Sequence, residues 1–275
     1  MTLLRSGLIA LALLPAVLGA QARTTDSLPP SKPPAAFSML ETKRFAAVFA
    51  MGGLAYLGDQ GARDAVRGSG PQGNQLLEGV AAFGNAWGQP GVVALGAAMW
   101  GGGLLAKQPT VAAAGLRAIE AVTVSGTVTA LLKMTFGRAR PYLSPTAPDD
   151  FRLFRGAEIT TGGYSSMPSG HTTAAFAFAS AVTGEVRLRA PEHARTVGIL
   201  TYGAATMTAY ARMHDDRHWL SDVAVGAGIG TVTGWAITRW HATRPENPID
   251  RVFLRPVIAP SPLGGMRIGV AMRTR

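Results

Sequence analysis

Seven apolar stretches, built largely from Ala, Gly, Val and Leu, follow one another between Phe37 and His241. They lie at 38–58, 75–87, 91–106, 110–134, 170–185, 194–213 and 217–240. Strand-like alternation of apolar and polar residues is absent from this region, so each stretch predicts a helix. Because Gly and Ala allow helices to approach closely, we predict an all-α fold, a bundle of about six to seven helices.

Two irregular segments interrupt or follow this pattern. Residues 141–168 form a long polar loop, and a loop of this length inside a domain is more often functional than structural. After the helical domain, predicted at 37–242, the tail at 243–275 carries VFLRPVIAP and MRIGVAMRT on either side of SPLGG. Apolar runs separated by a glycine-containing turn predict a short hairpin or an extended tail there.

The chain begins with a segment typical of export. Arg5 precedes an apolar core at 8–18, and the sequence AQA follows at 20–22. This layout predicts a secretory signal peptide at 1–22 and a Pro/Ser-rich linker at 23–36. An uncleaved membrane anchor is the alternative, although the apolar core is shorter than the roughly 20 residues that a span needs.

The composition narrows the choice of partner and location. The net charge is +10, but the Lys and Arg residues are scattered between apolar segments, so we predict no binding to nucleic acid. Membrane lipids and a phosphorylated small-molecule or lipid substrate fit this charge better. The absence of cysteine excludes disulfides, zinc–thiolate sites and thiol catalysis.

The predicted location is the cell envelope, with the functional site on the extracytoplasmic side. Most apolar stretches run roughly 13–17 residues before a charge, which is short for a span of roughly 20. The sequence therefore leaves open whether the chain is a periplasmic bundle or an inner-membrane protein with several spans.

The first of three polar clusters is KMTFGRARP, which contains Lys133, Arg140 and Pro141. The apolar stretch before Lys133 predicts a helix with the lysine in its last turn, and Pro141 ends regular structure. Cations are also ordinary partners of the dipole at a helix C-terminus, so this cluster alone favours capping over catalysis.

The second cluster, SSMPSGHTT, contains Ser169, Gly170 and His171 at the start of a predicted helix. Ser169 suits the N-cap position, and Gly170 allows a ligand to approach the backbone. Free N–H groups at a helix start bind anions, so His171 stands where a phosphate oxygen would arrive. A capped helix with an incidental histidine is an equally good interpretation of this cluster alone.

The third cluster, YARMHDDRHWLSDV, places Arg212 six residues before His218 and Asp222 four residues after it. On a helix, the i,i+4 spacing puts the carboxylate on the same face as the imidazole. A carboxylate bonded to one ring nitrogen fixes the tautomer and makes the other nitrogen more nucleophilic. The pair therefore predicts a histidine nucleophile.

The same cluster also allows a metal site, formed by His214, Asp215, Asp216 and His218. No H-E-x-x-H or comparable template is present, and the surrounding basic residues would repel a cation, so we predict no metal. The residues that follow Met213 instead predict a polar turn between helices, in which Asp216 pairs with Arg212 or Arg217.

Together the clusters follow the order K-x6-RP, PSGH and R-x5-H-x3-D between Lys133 and Asp222. This tripartite pattern resembles the signature of the type 2 phosphatidic acid phosphatase and vanadium haloperoxidase superfamily. Outside that segment, only the all-helical pattern supports the resemblance. The chain departs from the family at Ala211, where a serine usually precedes the arginine, and we expect a lost hydrogen bond there rather than lost catalysis.

The resemblance implies a role for each matched residue. His218 would attack phosphorus and become a phosphohistidine, Asp222 would orient it, and His171 would act as general acid and then activate water. The non-bridging oxygens would be held by Lys133, Arg140, Ser169, Gly170 and Arg212. No cofactor is implied, because three cations and a helix N-terminus supply the positive charge that phosphoryl transfer needs.

We therefore predict an exported, metal-independent phosphatase that hydrolyses phosphomonoesters or pyrophosphates, with lipid substrates such as phosphatidic acid or polyprenyl diphosphates. A vanadate-dependent haloperoxidase, in which the same residues hold vanadate, is the first alternative, although such members of the family are usually much larger. A non-catalytic envelope scaffold protein is the second, and the intact set of catalytic residues argues against it.

Overall fold

The computed structural model describes residues 39–157, 162–254, 256–260 and 266–270. The predicted signal at 1–22 and the predicted linker at 23–36 lie outside the described residues. Within them the chain forms an all-α bundle, as predicted, and a two-stranded antiparallel hairpin follows the last helix.

The bundle contains long helices that the apolar stretches predicted and short ones that they did not. In chain order these are α1 (Met39–Tyr56), α2 (Asp59–Arg67), α3 (Ser69–Gln72), α4 (Gln75–Ala86), α5 (Val92–Leu105), α6 (Pro109–Phe136), α7 (Gly170–Arg189), α8 (Ala194–His214), α9 (Leu220–Ala242) and α10 (Pro248–Leu254). Helices α2, α3 and α10 were not predicted, because they are too short or too polar to show an apolar period.

Helix α7 lies at the centre of the bundle and packs against α6, α8 and α9. Glycines on α9 allow this close approach. A Cβ on Gly230 would lie 2.3 Å from the Thr173 carbonyl oxygen, and one on Gly234 would lie 2.6 Å from that of Ala177. The buried face of α7 is itself rich in alanine, so the two backbones come nearly into contact.

We call the end where α6 and α8 finish and α7 and α9 begin the site end, and the opposite end the remote end. Helix α1 runs towards the site end. Arg44, near its start, lies 3.5 Å from the ring centroid of Trp235 late in α9, whereas Asp59, just beyond its end, bonds Ser221 at the start of α9. Helix α1 therefore begins near the remote end and ends at the site end.

A π-helical turn at Trp87–Gly91 joins α4 to α5 and bends the chain against the start of α7. Gly88 has a backbone conformation outside the helical region, and Pro90 follows it. A Cβ on Gly88 would lie 2.7 Å from the His171 ring, so glycine is required for this contact. The turn therefore forms one wall beside the second predicted cluster.

At the remote end, a buried ion-pair cluster attaches α10 to the bundle. Arg117 of α6 donates to Asp250 of α10 at 2.8 Å, and His241 of α9 lies 2.6 Å from Glu120 and 3.2 Å from Asp250. Because these side chains come from three helices, the short α10 is held by charge rather than by a large apolar face.

The C-terminal hairpin agrees with the prediction but begins later than expected. Strand β1 (Pro256–Pro260) pairs with β2 (Met266–Val270) in antiparallel register, with Pro256 opposite Val270. The predicted strand segment began at Val252, and the structure instead places Val252 in α10.

In the part of the chain that the structure describes, two helices, α6 and α9, are long and apolar enough to cross a membrane, and 61% of the apolar window of each is buried inside the bundle. Large apolar side chains are also exposed on other elements, among them Leu54 at 71%, Leu57 at 83% and Leu105 at 88%. A bundle with such a surface suits contact with lipid.

Candidate active site

The three predicted clusters converge at the site end. The Ser169 N–H donates to the Asp222 carbonyl at 3.0 Å, and the His218 N–H donates to the Arg212 carbonyl at 3.2 Å. A Cβ on Gly170 would lie 3.8 Å from Cε of Lys133. Arg140 also belongs to this group, because its charge acts on His171 and on His218.

Lys133 occupies the last turn of α6, as predicted. Gly137 ends the helix with a φ of 56°, in the left-handed region that favours glycine, and its N–H donates to the Lys133 carbonyl at 3.2 Å. The Lys133 ammonium donates to the carbonyls of Ser165 and Ser166, the latter at 3.3 Å. The first cluster is thus tied to the loop that leads into the second.

The second cluster forms the N-terminus of α7, with Ser169 at the N-cap position. The predicted N-cap position of Ser169 is thus confirmed, but its hydroxyl contacts the Thr172 hydroxyl at 2.9 Å and makes no capping bond to the backbone. The start of α7 therefore lacks a serine cap, and its first N–H groups are not occupied by that side chain.

The third cluster differs from the prediction in where the helix begins. His218 precedes α9, which starts at Leu220, so His218 and Asp222 do not share a helix face. Asp222 instead accepts from the Trp219 N–H at 2.9 Å and brings Oδ2 to 3.6 Å from His218 Nδ1. That separation exceeds a hydrogen bond, and Nδ1 is buried with no other partner. The carboxylate thus faces the imidazole through a capping turn rather than through i,i+4 helical spacing.

Arg212 is held by a residue that the sequence did not indicate. Its Nη1 donates to Asn85 Oδ1 at 2.6 Å, and Asn85 Nδ2 donates to Asp215 Oδ2 at 2.7 Å. Asn85 lies at the end of α4, far from the motifs in sequence, so spacing could not have found it. The predicted pairing of Asp216 was wrong, because Asp216 forms a two-bond ion pair with Arg63, each bond 2.8 Å long.

A second missed set of residues surrounds Asp222. Arg138 donates to Asp222 Oδ1 at 2.7 Å, and Ser166 donates to Oδ2 at 2.5 Å. Asp59 accepts from Arg138 at 2.6 Å. Arg138 and Ser166 lie inside the first two clusters and could have been suspected there, whereas Asp59 carries no local signal.

Ala211, where the chain departs from the family pattern, is tightly packed. It is fully buried, and a Cβ on Gly84 of α4 would lie 2.9 Å from the Cβ of Ala211. The side chain therefore contributes to the α4–α8 contact, and the expected loss of one hydrogen bond stays a prediction.

Both imidazoles are uncharged near neutral pH. Burial lowers the pKa of His171 to about 4, and the charges of Arg212, Lys133 and Arg140 act in the same direction. Burial also holds the pKa of His218 well below its usual range, against the opposing effect of Asp222. Two neutral imidazoles among cations form a pocket suited to an anion.

Among the described residues, no group of three or more His, Cys, Asp and Glu side chains could hold a metal ion. The acidic residues of the third cluster are already engaged, since Asp215 contacts Asn85 and Asp216 pairs with Arg63.

Comparison with known proteins relates this arrangement to one family. Residues 114–246 match the PAP2 superfamily, and all eight predicted site residues lie within that segment. Over 70 residues, covering 26% of this chain, the sequence is 39% identical to the lipid A 1-phosphatase of Porphyromonas gingivalis, of whose length the match spans 15%.

The crystal structure of a transmembrane PAP2 type phosphatidylglycerolphosphate phosphatase from Bacillus subtilis has a similar fold. The two structures superpose with a TM-score of 0.52 and 17% sequence identity, over 70% of this chain and 94% of that one. At this identity the likeness concerns the fold.

Proposed function

Since residues 114–246 form a PAP2 superfamily domain, we propose that this protein is an exported lipid phosphatase that works through a phosphohistidine on His218. One observation carries the proposal. Two neutral imidazoles, His171 and His218, share a buried pocket with the charges of Lys133, Arg140 and Arg212. Such a pocket binds a phosphate group and presents an uncharged nucleophile to it.

The first half-reaction uses both histidines. Because Nδ1 of His218 faces Asp222, Nε2 is the nitrogen that attacks phosphorus, and a P–N bond forms as the P–O bond to the leaving group breaks. His171 donates the proton that the leaving oxygen takes up. In the second half-reaction His171 removes a proton from water, whose oxygen displaces Nε2 and releases phosphate.

The remaining site residues stabilise charge on the three equatorial oxygens. Lys133, Arg140 and Arg212 supply positive charge, and the N–H groups at the start of α7 point towards the same region. Phosphoryl transfer depends mainly on such positioning and charge, and the three cations supply it without a metal.

Lipid substrates fit the rest of the molecule. The matched relatives are named as phosphatases of lipid A and of phosphatidylglycerolphosphate, and exposed leucines lie on α1 and α5 of this chain. We infer a phosphomonoester or diphosphate of a lipid as the substrate class, with the site on the extracytoplasmic side. The export pattern at 1–22 supports that side.

The test is hydrolysis by the purified protein with EDTA present. Short-chain phosphatidic acid, a polyprenyl diphosphate and p-nitrophenyl phosphate serve as substrates, and His218→Ala is the control. We expect phosphate release by the wild type alone, and protein-bound phosphate that survives alkali but not acid. Equal hydrolysis by His218→Ala contradicts the proposal, and halide oxidation after addition of vanadate and peroxide would support a haloperoxidase instead.

A further inference from the structure

Arg138 lies behind the site rather than in it, in the loop that follows α6. Its side chain is fully buried, and all five N–H groups of the guanidinium are used. Nε and Nη2 donate to the Pro148 carbonyl at 2.9 and 2.7 Å, and Nη1 donates to the Ser221 hydroxyl and to Asp222, each at 2.7 Å. Nη2 also donates to Asp59 at 2.6 Å.

Aromatic rings restrict the same guanidinium. Its carbon lies 5.0 Å from the ring centroid of Phe151, 5.5 Å from that of Trp219 and 5.6 Å from that of Tyr56. A group with every donor bonded and rings on several sides has one orientation available. Arg138 is therefore a fixed charge and not a mobile ligand.

Asp59 joins this charge to the start of α9. Its Oδ1 accepts from the Ser221 N–H at 2.7 Å, and its Oδ2 accepts from the Ser221 hydroxyl at 2.7 Å as well as from Arg138. Ser221 is the second residue of α9, so the carboxylate satisfies an N–H group that the helix itself leaves unbonded. An aspartate on α2 thus holds the turn that carries His218 and Asp222.

At the other side of Arg138, Asp222 has both oxygens engaged. Oδ1 accepts from Arg138, while Oδ2 accepts from Ser166 and from the Trp219 N–H and faces His218 Nδ1 at 3.6 Å. Asp59, Arg138 and Asp222 form a buried row of alternating charge that ends at the proposed nucleophile.

We propose that Asp59 and Arg138 are positioning residues that orient Asp222 towards His218 and set the pH below which His218 takes up a proton. The proposal rests on the proposed function, because it concerns the same nucleophile. Asp59 belongs to α2, which lies outside the segment 114–246 that matches the family. One end of the row of charges therefore comes from a part of the chain that the family match does not cover.

The two residues act on His218 with opposite signs. Asp59→Asn removes a negative charge, which disfavours the imidazolium, so the acidic limb of kcat/KM moves to lower pH. Arg138→Gln removes a positive charge and moves the limb to higher pH. The charged groups that act on His218 from other elements are Asp222, Lys133 and Arg140, and they are the same in both variants. Arg212 and His171, in the same pocket, are also unchanged.

The experiment measures kcat and KM between about pH 2.5 and 9 for the wild type, Asp59→Asn and Arg138→Gln, so that the acidic limb lies inside the measured range. We expect the acidic limb of kcat/KM to move by about half a pH unit or more, in opposite directions in the two variants, because buried charges act strongly on an ionisable group near them. We also expect kcat to fall by about tenfold or more with KM within about threefold, because neither residue touches the substrate.

Matched controls come from the remote end. Arg117→Gln and Asp250→Asn break a buried arginine–aspartate pair of 2.8 Å that has no contact with the site. They should lower the melting temperature and leave the limb where the wild type has it. Arg138→Lys keeps the charge, so it should lower kcat without displacing the limb, and it provides a second test if Arg138→Gln does not fold.

The inference would be overturned if the acidic limb of kcat/KM had the same position in all variants, or if it moved in the same direction in Asp59→Asn and Arg138→Gln. Movement of the limb in Arg138→Lys would also overturn it. A wild type without phosphatase activity would instead overturn the proposed function, so the two failures are distinguishable.

Discussion

His214 and His218 lie four positions apart and have different surroundings. His218 faces Asp222 and follows Arg212, whereas His214 Nδ1 lies 3.4 Å from Asp215 and its ring packs on Tyr210 at 5.6 Å between centroids. We predict that His214→Ala keeps activity within about tenfold and that His218→Ala abolishes it. Steady-state kinetics on p-nitrophenyl phosphate checks both, and comparable losses would contradict the assignment.

The lowered pKa values predict activity in acid. His218 must be neutral to attack, and its lowered pKa keeps it neutral as the pH falls through 6.5. His171, with a pKa of about 4, carries the proton that it donates to the leaving oxygen in only a small fraction of molecules at pH 6, and that fraction grows as the pH falls. We expect kcat/KM to be highest between about pH 4 and 6, and a maximum above pH 7 would contradict this.

Sequence spacing identified the residues that we propose contact the phosphate, but not the residues that hold them in place. Lys133, His171 and His218 belong to motifs whose order is visible in the sequence. Asn85 and Asp59 come from α4 and α2, which reach the site only through the packing of the bundle. Their partners lie between 79 and 162 positions away, so no local pattern contains them.

At the element scale, the contact between α7 and α9 governs the relative position of His171 and Asp222. Gly230→Ala would place a Cβ 2.3 Å from the Thr173 carbonyl oxygen, so the helices must separate. We predict a loss of about 1–3 kcal/mol in the free energy of unfolding and reduced kcat. Gly203→Ala on the exposed face of α8 has no atom within 4 Å and should stabilise by about 0.5–1 kcal/mol. Denaturant unfolding compares the two, and equal effects would contradict the packing argument.

The elements show why long helices are predictable and short ones are not. Apolar stretches located α6 and α9 to within a few residues, since many positions contribute to the pattern. The start of α9 was misplaced because the capping turn at Trp219 carries no standard N-cap residue. Helix α10, held by the ion pair of Asp250 with Arg117, depends on partners that its own sequence does not contain.

At the scale of the whole molecule, the direction of α1 links export to the side that the site faces. Because α1 runs from the remote end to the site end, a cleaved signal followed by a membrane-spanning α1 would turn the site towards the cytoplasm. An exported bundle that lies on the membrane keeps both ends outside. The proposed extracytoplasmic site can therefore be tested by labelling.

The chain contains no cysteine, which makes single-cysteine labelling clean. We predict that Leu143→Cys, at the site end, reacts with a membrane-impermeant maleimide on spheroplasts. If Glu192→Cys, at the remote end, is labelled as well, the protein is a peripheral exported protein. If the cysteine at position 192 is protected from the reagent, the protein spans the membrane. Labelling of Glu192→Cys alone would contradict the proposed side.

The pocket also connects catalysis to the lifetime of the protein. Burial and the charges of Arg140 and Arg212 lower the pKa of Lys133 to about 7, and the charge of Arg140 also acts against Arg212, so the three cations repel one another. A bound oxyanion relieves that repulsion only in the folded state. Inorganic phosphate, the product, should therefore raise the free energy of unfolding by about 1.4 kcal/mol at tenfold above its Kd, and the melting temperature should rise with it. Arg140→Ala should weaken this effect. If neither sulfate nor phosphate raised the melting temperature, this prediction would be contradicted. In the cell, such an enzyme would last longest where its product accumulates, and phosphate supply would set its abundance as well as its rate.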